Sequence, residues 1–215
     1  MKKIINLFAV LVMVSLMASC KKNEASLYSC DPVVHQFVAG TSWEGINREE
    51  LSNYQIDTLI AIFRSVSSEN KASIWREKMD LLLATESFST DEAAFIQSIR
   101  DAITPELYVN TPDNQAILDS MENSVKQRAV VYSWSEEDVL YYFALPHSRT
   151  QLIDYIQKSN KEGGGTSAGV NDCSCNFSMN RCRMLDYRIC ANYGCNVLPC
   201  GCGFLFAYSC DGNCF

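Results

Sequence analysis

Histidine is nearly absent from this chain. Only His35 and His147 occur in 215 residues. That removes the usual donors of a zinc site and the usual general base. Basic residues are also short: 18 Lys+Arg stand against 25 Asp+Glu, a formal net charge of −7. A nucleic-acid partner needs clustered Lys and Arg against phosphate, so that class is excluded. The one long apolar run, Ile4–Ala18, has 15 residues, short of the roughly 20 that a membrane-spanning helix requires. No phosphate loop, His-Glu-x-x-His or Cys-x-x-Cys occurs. Cys30 and His35 are close in sequence but carry no catalytic signature around them. The chain is therefore read as non-enzymatic, with no catalytic, cofactor-binding or metal-ligating residue.

What the chain has in abundance is cysteine, and nearly all of it at one end. Nine of its 11 cysteines fall between Asn171 and Phe215: Cys173, Cys175, Cys182, Cys190, Cys195, Cys200, Cys202, Cys210 and Cys214. This density is that of a disulfide scaffold. So short a segment buries little apolar surface and needs staples, metal or a partner. The segment contains no Lys, Glu or His, which favours bridges over zinc. Each bridge contributes about 2–4 kcal/mol, mainly by restricting the unfolded chain. Cys173 and Cys175 stand too close to bond one another without strain, so each is expected to reach a distant partner. Seven aromatics lie among these cysteines. Phe204 and Tyr208 are read as core; Phe177, Tyr187, Tyr193, Phe206 and Phe215 stand equally open to core or to an exposed contact patch.

The N-terminus reads as an export signal. Lys2 and Lys3 precede the apolar run, which is broken only by Asn6 and Ser15. Leu16-Met17-Ala18-Ser19-Cys20 resembles a bacterial lipobox. In that reading, cleavage precedes Cys20, its thiol takes a diacylglycerol and its new amino group is acylated, giving a stable membrane anchor. The alternative is an ordinary secreted protein that loses Cys20 with the signal or keeps it as a thiol. Export agrees with the cysteine content, since bridges persist in oxidising compartments. With Cys20 lipidated, ten cysteines remain, including Cys30 far upstream, which either pairs with one tail cysteine or leaves two thiols.

Between these ends the pattern is helical. Residues 20–30 form a polar tether, and residues 31–160 an acidic helical domain of formal charge −10. Ile56, Leu59, Ile60 and Phe63 recur at helical spacing, as do Trp75, Met79, Leu82 and Leu83. Ile96, Ile99 and Ile103 make a third stripe; Leu118, Met121, Val125 and Ala129 make a fourth. Shorter helices are expected around Val139, Leu140 and Phe143, and around Leu152, Tyr155 and Ile156. Thr90, Thr111 and Ser135 are the expected N-caps, with Pro112 in the first turn. Glu136-Glu137-Asp138 is then a helix start rather than an acid/base site. Pro105 and Pro146 mark stops. A flexible linker, 161–170, follows, and its Gly163, Gly164, Gly165, Gly169 and Val170 form a candidate cleavage region. The expected fold is mainly α: a helical N-terminal domain, then a small disulfide-rich, irregular or β C-terminal module, 171–215, behind a signal peptide, 1–19.

The C-terminal module resembles the fulvocin C-related bacteriocin family. The likeness rests on Asn171-Asp-Cys-Ser-Cys175 and on Gly201-Cys-Gly203 followed by Phe204, Phe206, Tyr208, Cys210, Gly212 and Cys214. It is close over about the last fifth of the chain. The nine tail cysteines depart from the even set of that pattern, and Phe stands where the closing motif often has Trp. In the protein that gives the family its name, the active bacteriocin is a small multi-disulfide peptide. The resemblance therefore implies a lipoprotein precursor whose C-terminal peptide is the effector, released at the linker. Its partner would be a target-cell membrane or envelope receptor. The second expectation is a permanently anchored envelope lipoprotein, in the outer membrane if the cell is Gram-negative, whose stapled module binds or supports.

Overall fold

A computed structural model of the chain describes residues 28–29, 31–153, 190–191, 198–210 and 213–214. The expected signal peptide 1–19, Cys20, Cys30, the expected linker with Gly163, Gly164, Gly165, Gly169 and Val170, Tyr155 and Ile156, and Cys173, Cys175, Cys182 and Cys195 lie outside the described residues.

The fold is mainly α. Asp31 opens α1 (Pro32–Ala39), its carboxylate accepting from the Val33 amide at 2.8 Å, with Pro32 in the first turn where its missing N–H costs nothing. A short α2 (Arg48–Leu51) starts from a capping box between Asn47 and Glu50. α3 (Ile56–Ser65) is the central rod: Leu59, Ile60, Ala61, Ile62 and Phe63 are all buried. α4 (Ser68–Thr85) buries Ala72, Trp75, Met79 and Leu82, as the stripe predicts. α5 (Thr90–Ala102) begins at the expected cap itself, so its observed cap lies one residue earlier. Ser89, not Thr90, closes the capping box with Glu92, because the reciprocal bond needs the acid three residues on.

A 3-10 turn (Pro105–Tyr108) leads to α6 (Pro112–Tyr132), capped by Thr111 and buried along Leu118, Met121, Val125 and Ala129. Ser133 ends it in the left-handed region at φ 57°. α7 (Glu136–Phe143) starts from a Ser135–Asp138 capping box, so the acidic trio serves a helix N-terminus. A further helical stretch runs over 149–153 and buries Leu152.

Two small antiparallel pairs lie at the C-terminal end. β1 (Cys190–Ala191) pairs with β4 (Asn213–Cys214), Cys190 opposite Cys214. β2 (Leu198–Cys202) pairs with β3 (Tyr208–Cys210), its register shifting between Leu198 and Cys202. A second 3-10 turn, Phe204–Phe206, connects β2 to β3. This β2–β3 hairpin packs against α3, and its turn lies inside the helical core. Phe204, Leu205 and Phe206 belong to the same buried cluster as Phe63, Trp75 and Phe143.

Candidate functional site

The hairpin seat is the most specific side-chain constellation in the described structure. Helical spacing on α3 aims Ile60, Phe63 and Arg64 toward it. Phe206 sits edge-on to two rings, Phe63 at 5.4 Å and Trp75 at 5.6 Å between centroids, the favourable contact of opposed ring quadrupoles. Phe204 lies 5.8 Å from Phe143. All three residues of the turn have no exposed surface. Tyr108 donates its hydroxyl to the Leu205 carbonyl at 3.4 Å, which satisfies a polar group taken into the core.

The backbone is bent to fit. Gly201 (φ +107°) passes so close to α3 that an added Cβ would stand 2.5 Å from Ile60 Cγ2. Only glycine fits both the angle and the gap. Gly203 (φ +67°) turns the chain against the Tyr208 ring. Leu205 and Phe206, neither a glycine, take φ 52° and 54°, each at a cost of about 1–2 kcal/mol.

Arg64 holds the seat from the other side. Its Nε donates to the Cys200 carbonyl at 2.7 Å, Nη1 to the Tyr28 carbonyl at 2.9 Å, and Nη2 contacts Cys210 Sγ at 3.2 Å. One guanidinium thus joins the N-terminal segment, β2 and β3, a task suited to its rigid fork. Cys202 and Cys210 form a disulfide eight residues apart across the turn. Cys200, grouped on sequence with the bridge-forming cysteines, carries a part-buried free thiol. At the rim, Tyr208 donates to Asp119 Oδ1 at 2.6 Å. That bond, with a second from Gln115, lowers the Asp119 carboxyl. Burial, then the same bond, pushes the Tyr208 phenol up.

No family model matches the chain, and neither a curated protein nor a solved structure matches it. Among the described residues of the seat, the Asp119 carboxylate is engaged by Tyr208 and Gln115, and the part-buried Cys200 thiol is the one nucleophile. Its chemistry is retention: a hairpin held by rings, one guanidinium and one disulfide.

A second buried cluster was hidden in the sequence. Lys78 is fully buried, its Nζ 2.6 Å from the His147 carbonyl and 3.6 Å from the Tyr141 ring centroid. Burial, then the nearby Arg48, holds its amine well below the usual lysine range. Arg48 donates to the Pro146 carbonyl at 2.9 Å, and burial lowers it too. The two basic side chains clamp the carbonyls of the segment after α7. The signal was present: Lys78 falls in phase with Trp75, Met79 and Leu82, on the apolar stripe rather than opposite it. Val139, Leu140 and Phe143 line up as expected, with Leu140 and Phe143 buried. Cys190 and Cys214 share a β register.

Proposed function

We propose that this chain acts as one retained, exported envelope protein, lipid-anchored through Cys20, whose cysteine-rich end is built into its helical body as a binding or structural part. The observation that carries this reading is the complete burial of Phe204, Leu205 and Phe206 among helical residues. Burying three such side chains is worth about 1.5–3 kcal/mol each. The two left-handed residues return only about 2–4 kcal/mol of that. Withdrawing the turn would also leave a cavity beside Phe63, Trp75 and Phe143, whose lining would lose its packing partners. Arg64 adds charge-assisted bonds at the edge. A released peptide would therefore leave a damaged helical body behind. The bacteriocin-like precursor remains the competing reading, and it draws on the family resemblance and the glycine-rich linker.

Limited proteolysis of the full exported chain separates them. After a cut in 161–170, the C-terminal fragment is expected to co-elute with the helical fragment on gel filtration without reductant. A denaturing gel then tells whether a bridge also joins them. A C-terminal peptide that elutes free, beside a helical fragment of unchanged circular dichroism, would establish the precursor reading instead.

A further inference from the structure

The α1–α2 region carries a cleft whose lining includes no residue of the hairpin. The chain leaves α1 at Gly40 and reaches α2 through a short loop fixed on both sides. Trp43 Nε1 donates to the Val38 carbonyl at 2.9 Å. The Ile46 amide bonds back to the Trp43 carbonyl at 3.1 Å, with Gly45 supplying the turn at φ +79°. Asn70 of α4 donates to the Ile46 carbonyl at 3.2 Å. The loop is thus preorganised before any ligand arrives.

The result is an open cleft of about 440 Å³, whose lining includes Ser42, Trp43, Glu44, Glu50, Asn53 and Tyr54. That volume is within the range of small-molecule sites. The Trp43 and Tyr54 rings meet at 90°, 5.6 Å apart. Phe37, 44% exposed, extends this wall 5.4 Å from Trp43. Trp43 lines the cleft, and the only polar atom of its indole is spent on Val38, so the ring has no hydrogen bond left to give a ligand. The carboxylates lie beside it without a basic lining residue to neutralise them. Glu44 has no hydrogen bond or ion pair among the described residues. Glu50 uses only Oε2, on the Asn47 amide at 3.3 Å.

Electron-rich ring faces beside two uncompensated carboxylates select for positive charge. An anion is repelled. A neutral sugar could stack on the rings but would draw nothing from the charge. An apolar segment would strand both carboxylates on burial. We propose that this cleft binds a small organic cation with a methylated ammonium head, held over the Trp43 face with Glu44 and Glu50 as counter-charges.

The probe is choline, titrated calorimetrically into the full exported chain at low and at high salt. Its neutral isostere, 3,3-dimethylbutan-1-ol, and a neutral disaccharide serve as controls. One saturable choline site is expected, weakened by salt, with the isostere bound about tenfold or more weakly, the difference a partly desolvated cation–π and charge contact supplies. Glu44→Gln changes an exposed side chain and is expected to weaken choline several-fold without altering the fold. Trp43→Ala, checked by circular dichroism, is expected to abolish binding. Equal binding of the isostere, preference for the disaccharide, choline affinity unchanged in Glu44→Gln, or no choline binding at all each overturns the proposal. So does association of a Cys20→Ala chain, which lacks the lipid anchor, with phosphatidylcholine vesicles that free choline fails to compete, since that would make the wall a membrane contact.

Discussion

The guanidinium Nε of Arg64 lies 2.7 Å from the carbonyl oxygen of Cys200, 136 residues further along the chain. The same side chain reaches Tyr28 at 2.9 Å. Removing it strands two carbonyls, one in β2 and one in the N-terminal segment. Arg64→Met is expected to lower stability by about 2–4 kcal/mol, on the scale of two charged hydrogen bonds. Arg64→Lys should recover only part, since an ammonium cannot reproduce the fork. Urea unfolding of the three proteins checks this; a loss under about 0.5 kcal/mol in the methionine variant would remove the clamp from the account.

Gly201→Ala tests the close approach. The new methyl would stand 2.5 Å from Ile60 Cγ2 at a φ of +107°. A loss of about 2–4 kcal/mol is expected from clash and strain together. Ile60→Ala removes the clashing atom but leaves the backbone strain. The double variant should therefore cost less than the sum of the two single changes, by about 1 kcal/mol or more. Strict additivity would mean that the two residues do not meet.

The cysteines of the hairpin should differ in reactivity. Cys200 is expected to take iodoacetamide in the native, unreduced protein, whereas Cys202 and Cys210 should be labelled only after reduction. Tandem mass spectrometry of the 198–210 peptide reads this directly. Opening the Cys202–Cys210 bridge by Cys→Ser replacement should destabilise the helical body by about 2–3 kcal/mol from loop closure alone. Helical ellipticity that melts unchanged in that variant would show that the hairpin is not coupled to the helices.

Lys78 predicts the slope of stability with pH. Burial lowers its folded pKa, so between that value and the ordinary lysine pKa the unfolded chain binds more protons than the folded one. Stability therefore rises with pH through this window, and the penalty is complete once pH falls below the folded pKa. The buried tyrosines act oppositely at higher pH. Burial raises Tyr141 and Tyr142 to about 12, so their unfolded forms ionise first. Urea midpoints between neutrality and about pH 9.5, below the ordinary tyrosine pKa, should climb in the parent and flatten in Lys78→Met. Parallel profiles would assign the slope elsewhere.

Much of the helical body was legible because it is written locally. The α3 stripe of Ile56, Leu59, Ile60 and Phe63, the α6 stripe from Leu118 to Ala129, and the Thr111 and Ser135 caps each depend on neighbours within a turn or two. The Ser89 cap was missed by one residue because serine and threonine stand side by side there and only the reciprocal reach of Glu92 separates them. The destination of Phe204, Leu205 and Phe206 could not be read the same way. Their partners Phe63, Trp75 and Phe143 lie far upstream, and no periodicity links them. Dense cysteine spoke for a self-sufficient module, yet these side chains fill the helical core. The choice of Arg64 rather than a neighbour as the anchor depends equally on a contact across 136 residues. The Trp43–Tyr54 cleft is made from two loops whose spacing carries no repeat.

The placement of the β2–β3 turn has a consequence for synthesis. A ribosome makes α1 to α7 well before it makes Phe204–Phe206, so the nascent helices lack the rings that close their core. Contacts of such sequence separation are the slowest to form. The half-made chain must keep its apolar faces exposed or shielded by a chaperone until the hairpin emerges. The last-made turn thus works as a latch, and the helical core shuts only when it arrives.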